Sequence, residues 1–266
     1  MQKGEVCLYD LNEKEGWLLS RHHTGAHYSP VLQLRRSNFV EPWRDTSSHF
    51  HTSAHEIFLV LKGELWLMVE DLPIRLQEES LLVVQPGVPH AVVGGRGSIQ
   101  NYLMQISDSY DEKKTIEEFS SEKLKKMESS FQECNPEIDP LKGFFADLTE
   151  KENHNCWLIG CILGNKYLTK DYCFAYMIYK NEDDMKKTDH RDVRHYHSQA
   201  TEWYWTFEGE QELEVAGENI RVPKHHLLRI GKNVPHNINW RTYPFRGLTM
   251  RTSISLDEKV EVDTKI

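Results

Sequence analysis

Two groups of side chains that can bind a transition metal recur in this chain with the same spacing. Each group has a His-x-His pair, a Glu after four further residues, a Gly, and a last His within Val-Pro-His. The groups, offset by 146 positions (His49 to His195), are His49, His51, Glu56 and His90, and His195, His197, Glu202 and His236. One His-x-His pair is often accidental, but the same multi-point spacing twice is not. The repetition predicts two metal sites in one chain.

The residue types of each group predict an open metal site. Alternate residues of a strand share a face, so the two histidines of each His-x-His pair point the same way. Three imidazoles and one carboxylate suit divalent Fe, Mn, Ni or Zn. On an octahedral ion, four protein ligands leave two positions for water, dioxygen or a substrate. Structural zinc sites are usually closed and rich in cysteine, and neither group contains a cysteine. We therefore predict up to two transition metals per chain as cofactors.

Composition limits the class of protein. The chain has 266 residues, 39% hydrophobic and 27% charged, which is typical of globular domains. Its net charge of −9 argues against a nucleic-acid partner. No apolar run is long enough for a membrane span, and the first residues lack the apolar core of a secretory signal. The five cysteines form no Cys-x-x-Cys pair, which is typical of reduced thiols. We expect a cytoplasmic protein without a membrane partner.

The repeat predicts a duplicated domain, with copies at 1–108 and 151–266. The segment 109–150 between them differs in character. Its apolar residues recur at roughly helical spacing among charged ones, and they are Ile116, Phe119, Leu124, Met127 and Phe131. This pattern predicts an amphipathic helix that packs one stripe against the protein, followed by an irregular link.

Within each copy, short runs rich in β-branched and aromatic residues alternate with turn residues. Turns are predicted at Lys62-Gly63 and near 71–73, and in the second copy at Glu208-Gly209 and Ala216-Gly217. Turn signals every 8–10 residues without intervening helices favour an antiparallel barrel or sandwich.

The same segments resemble the signatures of the cupins. The first signature is matched by HFHTSAHEIFLVLKG (49–63) and HYHSQATEWYWTFEG (195–209), and the second by QPGVPH (85–90) and GKNVPH (231–236). The resemblance, to a bicupin, implies an all-β protein of two tandem jelly-roll barrels joined by a mainly helical linker. It also implies one ion per barrel, held by the residues named above. It says little about the reaction, because cupins include dioxygenases, decarboxylases, isomerases, epimerases, storage proteins and sugar-binding regulators.

The second copy departs from the signature at one turn. Gly87 precedes the last histidine of the first copy by three residues, and Asn233 stands at the matching position of the second. Asn is the non-glycine residue that best tolerates a positive φ, so we expect this turn to survive.

Strand alternation predicts which side chains surround each metal. Phe58 and Tyr204 share the face of the Glu ligands, and Trp240 shares that of the last histidine. Gln105 and Arg251 occupy matching positions on the final strand of each copy. We predict substrate contacts by Phe58, Gln105, Trp240 and Arg251, and a catalytic or orienting role for Tyr204. Arg251 could clamp a carboxylate with two hydrogen bonds, although a surface arginine is an equally good interpretation.

These features favour a metal-dependent enzyme acting on a small organic acid or an aromatic or polar metabolite. The expected chemistry is that of a dioxygenase or a decarboxylase. Two alternatives stay open: a non-catalytic protein that binds or senses a sugar or an acid, and a sugar isomerase or epimerase. The complete ligand sets in both copies favour the enzyme. The expected partner is a small molecule, and a homodimer is compatible with the barrel faces.

Overall fold

The chain folds into two compact units. The computed structural model describes residues 6–12, 15–21, 26–39, 44–107, 109–131, 138–161, 165–187, 193–254 and 257–262. The N-terminal unit comprises the described residues from Lys14 to Lys151. The C-terminal unit comprises those from Glu152 to Ile266, together with those of the first thirteen residues.

Strands dominate both units. In chain order up to residue 150, the elements are β1 (Val6–Asp10), β2 (Gly16–Ser20), β3 (His27–Tyr28), β4 (Leu32–Phe39), β5 (Ser47–His51), β6 (His55–Val69), β7 (Leu72–Leu76), β8 (Ser80–Val84), β9 (His90–Ile106), β10 (Lys113–Glu118), α1 (Ser121–Ser130) and β11 (Gly143–Asp147). From residue 151 they are a 3-10 turn (Lys151–Asn153), β12 (Cys156–Gly160), β13 (Tyr167–Leu168), β14 (Tyr172–Tyr179), α2 (Glu182–Lys187), β15 (His195–His197), β16 (Thr201–Glu208), β17 (Glu210–Val215), β18 (Glu218–Pro223), β19 (His226–Ile230), β20 (His236–Arg241), β21 (Phe245–Thr252) and β22 (Lys259–Glu261).

The N-terminal unit is built around two long strands, β6 and β9, which pair antiparallel along most of their length. The strand order is β11-β8-β6-β9-β4-β2-β3, with β7 added to β6 and β5 joining β9 to β10. The first half of β6 pairs with β8 and its second half with β7, so this strand passes from one face of the barrel to the other. The enclosed core is apolar, and its fully buried members include Val60, Leu67, Ile74, Leu76, Leu82 and Val84.

The C-terminal unit repeats this arrangement in two sheets. One has the order β1-β19-β16-β21-β14-β12-β13 and the other β18-β17-β20-β15-β22. Here β16 and β17 correspond to β6, and β20 and β21 correspond to β9. The core between the sheets contains Tyr204, Leu213, Val215, Val222, Leu228 and Ile230. Each unit is therefore a mainly antiparallel barrel or sandwich of the kind that the turn spacing predicted.

A glycine with positive φ lies within β6 in the N-terminal unit and between β16 and β17 in the C-terminal unit. Gly63 has φ 77° and Gly209 has φ 76°, a region that other residues rarely adopt. A Cβ at Gly63 would lie 2.6 Å from the backbone oxygen of Ser98. The predicted chain reversal at Lys62-Gly63 is nevertheless wrong. The strand continues through the glycine because the residues on both sides pair with the same neighbour, β9, with only irregular register between them.

The strand β1, near the start of the chain, belongs to the C-terminal unit, and β11, in the segment between the predicted copies, belongs to the N-terminal unit. The strands β1 and β11 both lead into Asp-Leu-x-Glu-Lys, at 10–14 and 147–151. However, β1 pairs with β19 of the C-terminal unit, and β11 pairs with β8 of the N-terminal unit. The buried Leu11 and Leu148 then donate matching backbone hydrogen bonds, to the carbonyl oxygens of His225 and Glu79. An equivalent strand thus forms one edge of a sheet in each unit.

The compact units therefore divide the chain differently from the predicted segments 1–108, 109–150 and 151–266. Residues 6–12 group with the C-terminal unit, and the described residues of 109–150 group with the N-terminal unit. The predicted boundaries stay a prediction about which segments fold independently.

The predicted linker helix is shorter than its apolar pattern indicated. Helix α1 spans only Ser121–Ser130, capped by Ser120, while the preceding residues form β10 and pair with β5. Ile116 lies on this strand and is half exposed. The rest of the stripe packs as predicted, since Phe119, Leu124, Met127 and Phe131 contact a small core that includes Val93. The linker is therefore part strand and part helix. No helix of the described residues is long and apolar enough to cross a membrane.

Candidate metal centres

The four predicted ligands of the C-terminal unit converge inside its barrel. His195 and His197 come from β15, Glu202 from β16 and His236 from β20. All four side chains are buried, and one ligand atom of each lies within 4.8 Å of the others. The Nε2 atoms of His195, His197 and His236 lie 3.6, 3.3 and 2.8 Å from Glu202 Oε2. The three strands thus bring the ligands together as the sequence predicted.

Hydrogen bonds at the far side of each ring orient these histidines. Nδ1 of His195 donates to the carbonyl oxygen of Val193 (2.8 Å), and Nδ1 of His236 donates to that of Val234 (2.8 Å). Nδ1 of His197 lies 2.6 Å from the carboxylate of Asp257. A carbonyl or carboxylate oxygen can only accept, so Nδ1 carries the proton in each case. With Nδ1 turned to these acceptors, Nε2 is the ring atom directed at Glu202, where it would bind a metal.

The Glu ligands are ionised in both units. Burial would raise the pKa of Glu202, but the three imidazoles around its carboxylate lower it more and hold it well below its ordinary value. Burial would likewise raise the pKa of Glu56, yet His90, His49 and His51 hold it well below that value. Each site therefore offers one negative charge and three imidazoles to a cation.

The N-terminal site has the same ligands but a different network. His49 Nε2 lies 3.6 Å from Glu56 Oε2, and His51 Nε2 lies 3.6 Å from Glu56 Oε1. Only these three residues form a mutually close group, while His90 reaches it by a direct hydrogen bond with Glu56. The buried Nδ1 of His49 has no hydrogen-bond partner within the described ranges. Among the described residues, fewer hydrogen bonds at Nδ1 therefore orient the histidine rings of this site than those of the C-terminal site.

Gln105 and Arg251 occupy matching strand positions but behave differently. Gln105 Nε2 donates to Glu56 Oε1 (2.8 Å) and lies 3.3 Å from His51 Nε2, and its own Oε1 accepts from Gln33 (3.0 Å). Its amide thus occupies lone pairs that a metal would need. The Arg251 guanidinium instead lies 4.5 Å from the ring centre of Trp157 and donates to Cys173 Sγ (3.6 Å). Arg251 therefore obstructs the ligands of the C-terminal site less than Gln105 obstructs those of the N-terminal site.

A cavity opens onto each ligand group. The N-terminal cavity has a volume of about 260 Å³ and is lined by both Phe58 and Gln105. The C-terminal cavity is larger, about 440 Å³, and is lined by Tyr204, Trp240 and Arg251. Every predicted contact residue thus lines a cavity beside the predicted ligands. The ring of Tyr204 stands edge-on to His236, with ring centres 6.0 Å apart, as Phe58 does to His90 at 6.2 Å.

Sequence reasoning missed two acidic residues that touch the ligands. Asp111 Oδ2 lies 2.5 Å from His51 Nδ1, just as Asp257 Oδ2 lies close to His197 Nδ1. Burial would raise the pKa of both carboxyls, but backbone N–H groups and the histidine outweigh it, so both pKa values are lowered. The signal was present in the sequence. Asp-Glu-Lys occurs at 111–113 and at 257–259, with the same offset as the ligands.

The sequence prediction also missed the lysine at the end of each Asp-Glu-Lys segment. Lys113 lies directly across from His51 in the pairing of β10 with β5, and Lys259 lies across from His197 in that of β22 with β15. Directly opposed residues of an antiparallel pair project to the same face. Accordingly, each lysine lines the cavity of its own unit. Each cavity thus carries a positive charge besides the metal ligands.

The donor set of each unit fits a divalent transition metal. Ligand bonds of about 2.1 Å put ligand atoms about 3–4 Å apart, which small side-chain movements would achieve here. Imidazoles whose Nε2 faces the site, together with an ionised carboxylate, are ligands that suit Fe, Mn, Ni or Zn. The two groups could therefore hold two ions per chain.

Comparison with known proteins identifies the class of fold. Residues 39–97 match the model of the cupin domain family. Among curated proteins, none is similar enough in sequence to count as a match.

Solved structures extend the match over both units. Salicylate 1,2-dioxygenase from Pseudoaminobacter salicylatoxidans, with gentisate, is 12% identical (TM-score 0.61), and the match covers 98% of this chain and 85% of that one. A variant of oxalate decarboxylase from Bacillus subtilis is 11% identical (TM-score 0.59; 96% and 79% covered). The 11S allergen of Cocos nucifera L. is 12% identical (TM-score 0.57; 88% and 83% covered). The chain thus has the fold of two tandem jelly-roll barrels, like these structures, which confirms the predicted fold class and the resemblance to bicupins.

Proposed function

We propose that the chain is a metal-dependent enzyme that performs dioxygenase- or decarboxylase-type chemistry on a small organic acid in its C-terminal site. One observation carries the proposal. A single cavity of about 440 Å³ is lined by three of the four ligands (His195, His197 and Glu202), by the cations Arg251 and Lys259, and by the rings of Trp240 and Tyr204. Such a cavity offers a carboxylate a counter-charge beside a metal and offers an apolar body an aromatic wall.

Arg251 and Lys259 would bind the carboxylate of the acid. Arg251 and Lys259 both line the cavity, so their cationic groups lie within reach of an acid bound there. Stacking on Trp157 holds the guanidinium plane in place. A fixed guanidinium can bind a carboxylate with two parallel hydrogen bonds, which orients the acid as well as holding it.

Tyr204 and Trp240 would position the rest of the substrate. Both rings line the cavity, and Tyr204 is buried against the core, which fixes its orientation. The phenol would orient the substrate or hold a proton that the reaction transfers. At the matching position of the other unit stands Phe58, which has no hydroxyl.

His195, His197, Glu202 and His236 would hold the metal, which would supply Lewis-acid or, as iron, oxidative chemistry to the site. The N-terminal site would also hold an ion but would be less reactive. The amide of Gln105 lies against two of its ligands, and its cavity is smaller. We therefore propose unequal roles, with the N-terminal site mainly structural.

The structural neighbours support this chemistry without specifying the reaction. A salicylate dioxygenase and an oxalate decarboxylase share the two-barrel fold, and both act on carboxylic acids by their names. A seed allergen shares it too, so the fold alone does not make an enzyme. The acidic composition and the lack of a Cys-x-x-Cys pair support a cytoplasmic location. We propose a small molecule as the partner, with no nucleic acid or membrane, and a homodimer as the assembly.

Turnover of a panel of acids tests the function. The protein is loaded separately with Fe²⁺ and Mn²⁺ and supplied with salicylate, gentisate and oxalate, while oxygen uptake and CO₂ release are recorded. We expect consumption of at least one acid, with oxygen uptake if the protein is a dioxygenase and CO₂ release if it is a decarboxylase. Tight retention of an acid or sugar with no turnover by either metal form would contradict the enzyme and favour a sensor.

Replacing Arg251 with Gln, the residue of the N-terminal site, should weaken carboxylate binding. Hydrogen bonds to charged groups contribute about 1.5–3 kcal/mol, so KM or Kd for the acid should rise about 10- to 150-fold. The matched control is Arg246→Gln on the same strand, since Arg246 pairs with Glu208 and does not line the cavity. Equal effects of both substitutions on KM would argue against a carboxylate clamp at Arg251.

A further inference from the structure

The repeated Asp-Glu-Lys segments lie outside the ligand sets, yet both return to the metal-binding strands. The segment 111–113 leads into β10, which pairs with β5, and the segment 257–259 leads into β22, which pairs with β15. These pairings place Asp111 and Asp257 next to the second histidine of each group. The same local structure has therefore formed twice, at two distant points of the chain.

The two aspartates share three hydrogen bonds, and Asp111 also accepts a longer one from the Ser53 hydroxyl (3.4 Å). Asp257 Oδ2 accepts from His197 Nδ1 (2.6 Å), while its Oδ1 accepts from the backbone N–H groups of Gln199 and Ala200 (both 3.0 Å). Asp111 does so with His51 (2.5 Å) and with the N–H groups of Ser53 and Ala54 (2.9 and 3.0 Å). Both aspartate side chains are largely buried, with 7% or less exposed.

These hydrogen bonds join two ligands that lie on different strands. The histidine ends one strand, and the two N–H groups belong to the turn that leads to the Glu ligand, three and two residues before Glu202. One carboxylate therefore fixes both the ring of the histidine and the path of the chain to the glutamate. An anionic hydrogen-bond acceptor at Nδ1 also makes Nε2 a stronger electron-pair donor to a metal cation.

We propose that Asp111 and Asp257 are positioning residues that set the metal affinity of the N-terminal and C-terminal sites, respectively. Each holds its histidine with Nδ1 protonated and Nε2 directed at the metal. The proposal rests on the metal sites of the proposed function, but it does not depend on the substrate or on the reaction.

The substitution Asp257→Asn separates the two tasks of the carboxylate. The Asn oxygen can still accept from both backbone N–H groups, so the turn is retained. Its NH₂ group, however, can only donate, and it opposes the Nδ1–H of His197. To relieve that clash the imidazole must move its proton to Nε2 or rotate, and either change removes the metal-binding lone pair from the site. The same argument applies to Asp111→Asn at His51.

Titration of metal-free protein with Mn²⁺, followed by calorimetry, tests the proposal. We expect Asp257→Asn to weaken one class of site 10- to 100-fold, as is usual for the hydrogen-bond partners of metal ligands, and to leave the other unchanged. Asp111→Asn should weaken the other class. The visible spectrum of Co²⁺-loaded protein should change at the affected site, a signature that a purely structural role would not produce. The double variant should lose affinity at both sites.

Matched controls come from the same segments. The side chains of Glu112 and Glu258 are exposed, so Glu112→Gln and Glu258→Gln should leave both affinities at the wild-type value. Thermal unfolding of the metal-free variants separates loss of fold from loss of affinity. Wild-type Mn²⁺ affinity in both Asp→Asn variants would overturn the proposal. Reduced affinity in a protein that turns over no acid would sustain it while contradicting the proposed function.

Discussion

Replacing Glu202 with Gln is expected to lower the turnover of an accepted acid about 1,000-fold. Gln has the size of Glu but lacks the charge that holds a cation among the three imidazoles of the C-terminal site. A bound metal typically contributes several kcal/mol to the transition state, and each 1.36 kcal/mol is a factor of ten in rate. The measurement is kcat with the acid identified from the panel, alongside the metal content of the same sample.

The matched control is Glu56→Gln in the N-terminal unit. We expect this variant to retain most of the activity, because the N-terminal site has the smaller cavity and Gln105 already hydrogen-bonds its ligands. The reverse result, with activity lost in Glu56→Gln and kept in Glu202→Gln, would contradict the assignment of the reaction to the C-terminal site.

Replacing Leu11 with Ala should destabilise the C-terminal unit, although Leu11 lies near the start of the chain. Leu11 is fully buried and follows β1, which pairs with β19. Removing a buried leucine costs about 2–5 kcal/mol through lost burial and the cavity that remains. Amide hydrogen exchange, measured on peptides, should therefore accelerate along β19 and stay unchanged along β8.

Leu148→Ala provides the matched comparison. Leu148 is the counterpart of Leu11 in the other repeat, equally buried, and follows β11, which pairs with β8. Its replacement should accelerate exchange along β8 and leave β19 protected. If Leu11→Ala accelerated amide hydrogen exchange along β8 instead, the assignment of β1 to the C-terminal unit would be wrong.

The grouping of the eight predicted ligands could be predicted from the sequence because their pattern is repeated at one constant offset. A metal site requires particular residue types at particular positions, and in a duplicated domain the same requirement appears in both copies. The turn near Asn233 was also predictable, since Asn tolerates the positive φ that it adopts there (59°). The cavity residues Phe58, Tyr204 and Trp240 followed from strand alternation, which depends only on local backbone geometry.

Features that depend on long-range pairing were harder to predict. The exchange of β1 and β11 escaped notice because their shared Asp-Leu-x-Glu-Lys motif is offset by 137 residues (Asp10 to Asp147), a different spacing from that of the ligands. The charged strand β10 was assigned to a helix because all its side chains are exposed, so its sequence carries no alternation. Only its pairing with β5 makes it a strand.

The different surroundings of the two sites could be predicted only in part. The sequence shows that Arg251 stands where the first copy has Gln105, but it does not show what each side chain contacts. Whether an amide hydrogen-bonds Glu56, or a guanidinium stacks on Trp157, depends on residues from other strands. Asp111 and Asp257 could have been found from their repeat, because Asp-Glu-Lys has the same offset as the ligands.

Metal content per chain, measured by elemental mass spectrometry, tests the central claim most directly. Wild-type protein and the variants His51→Ala and His197→Ala are produced with ample Fe, Mn, Ni and Zn. We expect close to two ions per wild-type chain and the loss of one ion in each variant, because each substitution removes a ligand from a different barrel. Wild-type protein that retains no transition metal, or variants that retain as much metal as the wild type, would contradict the account.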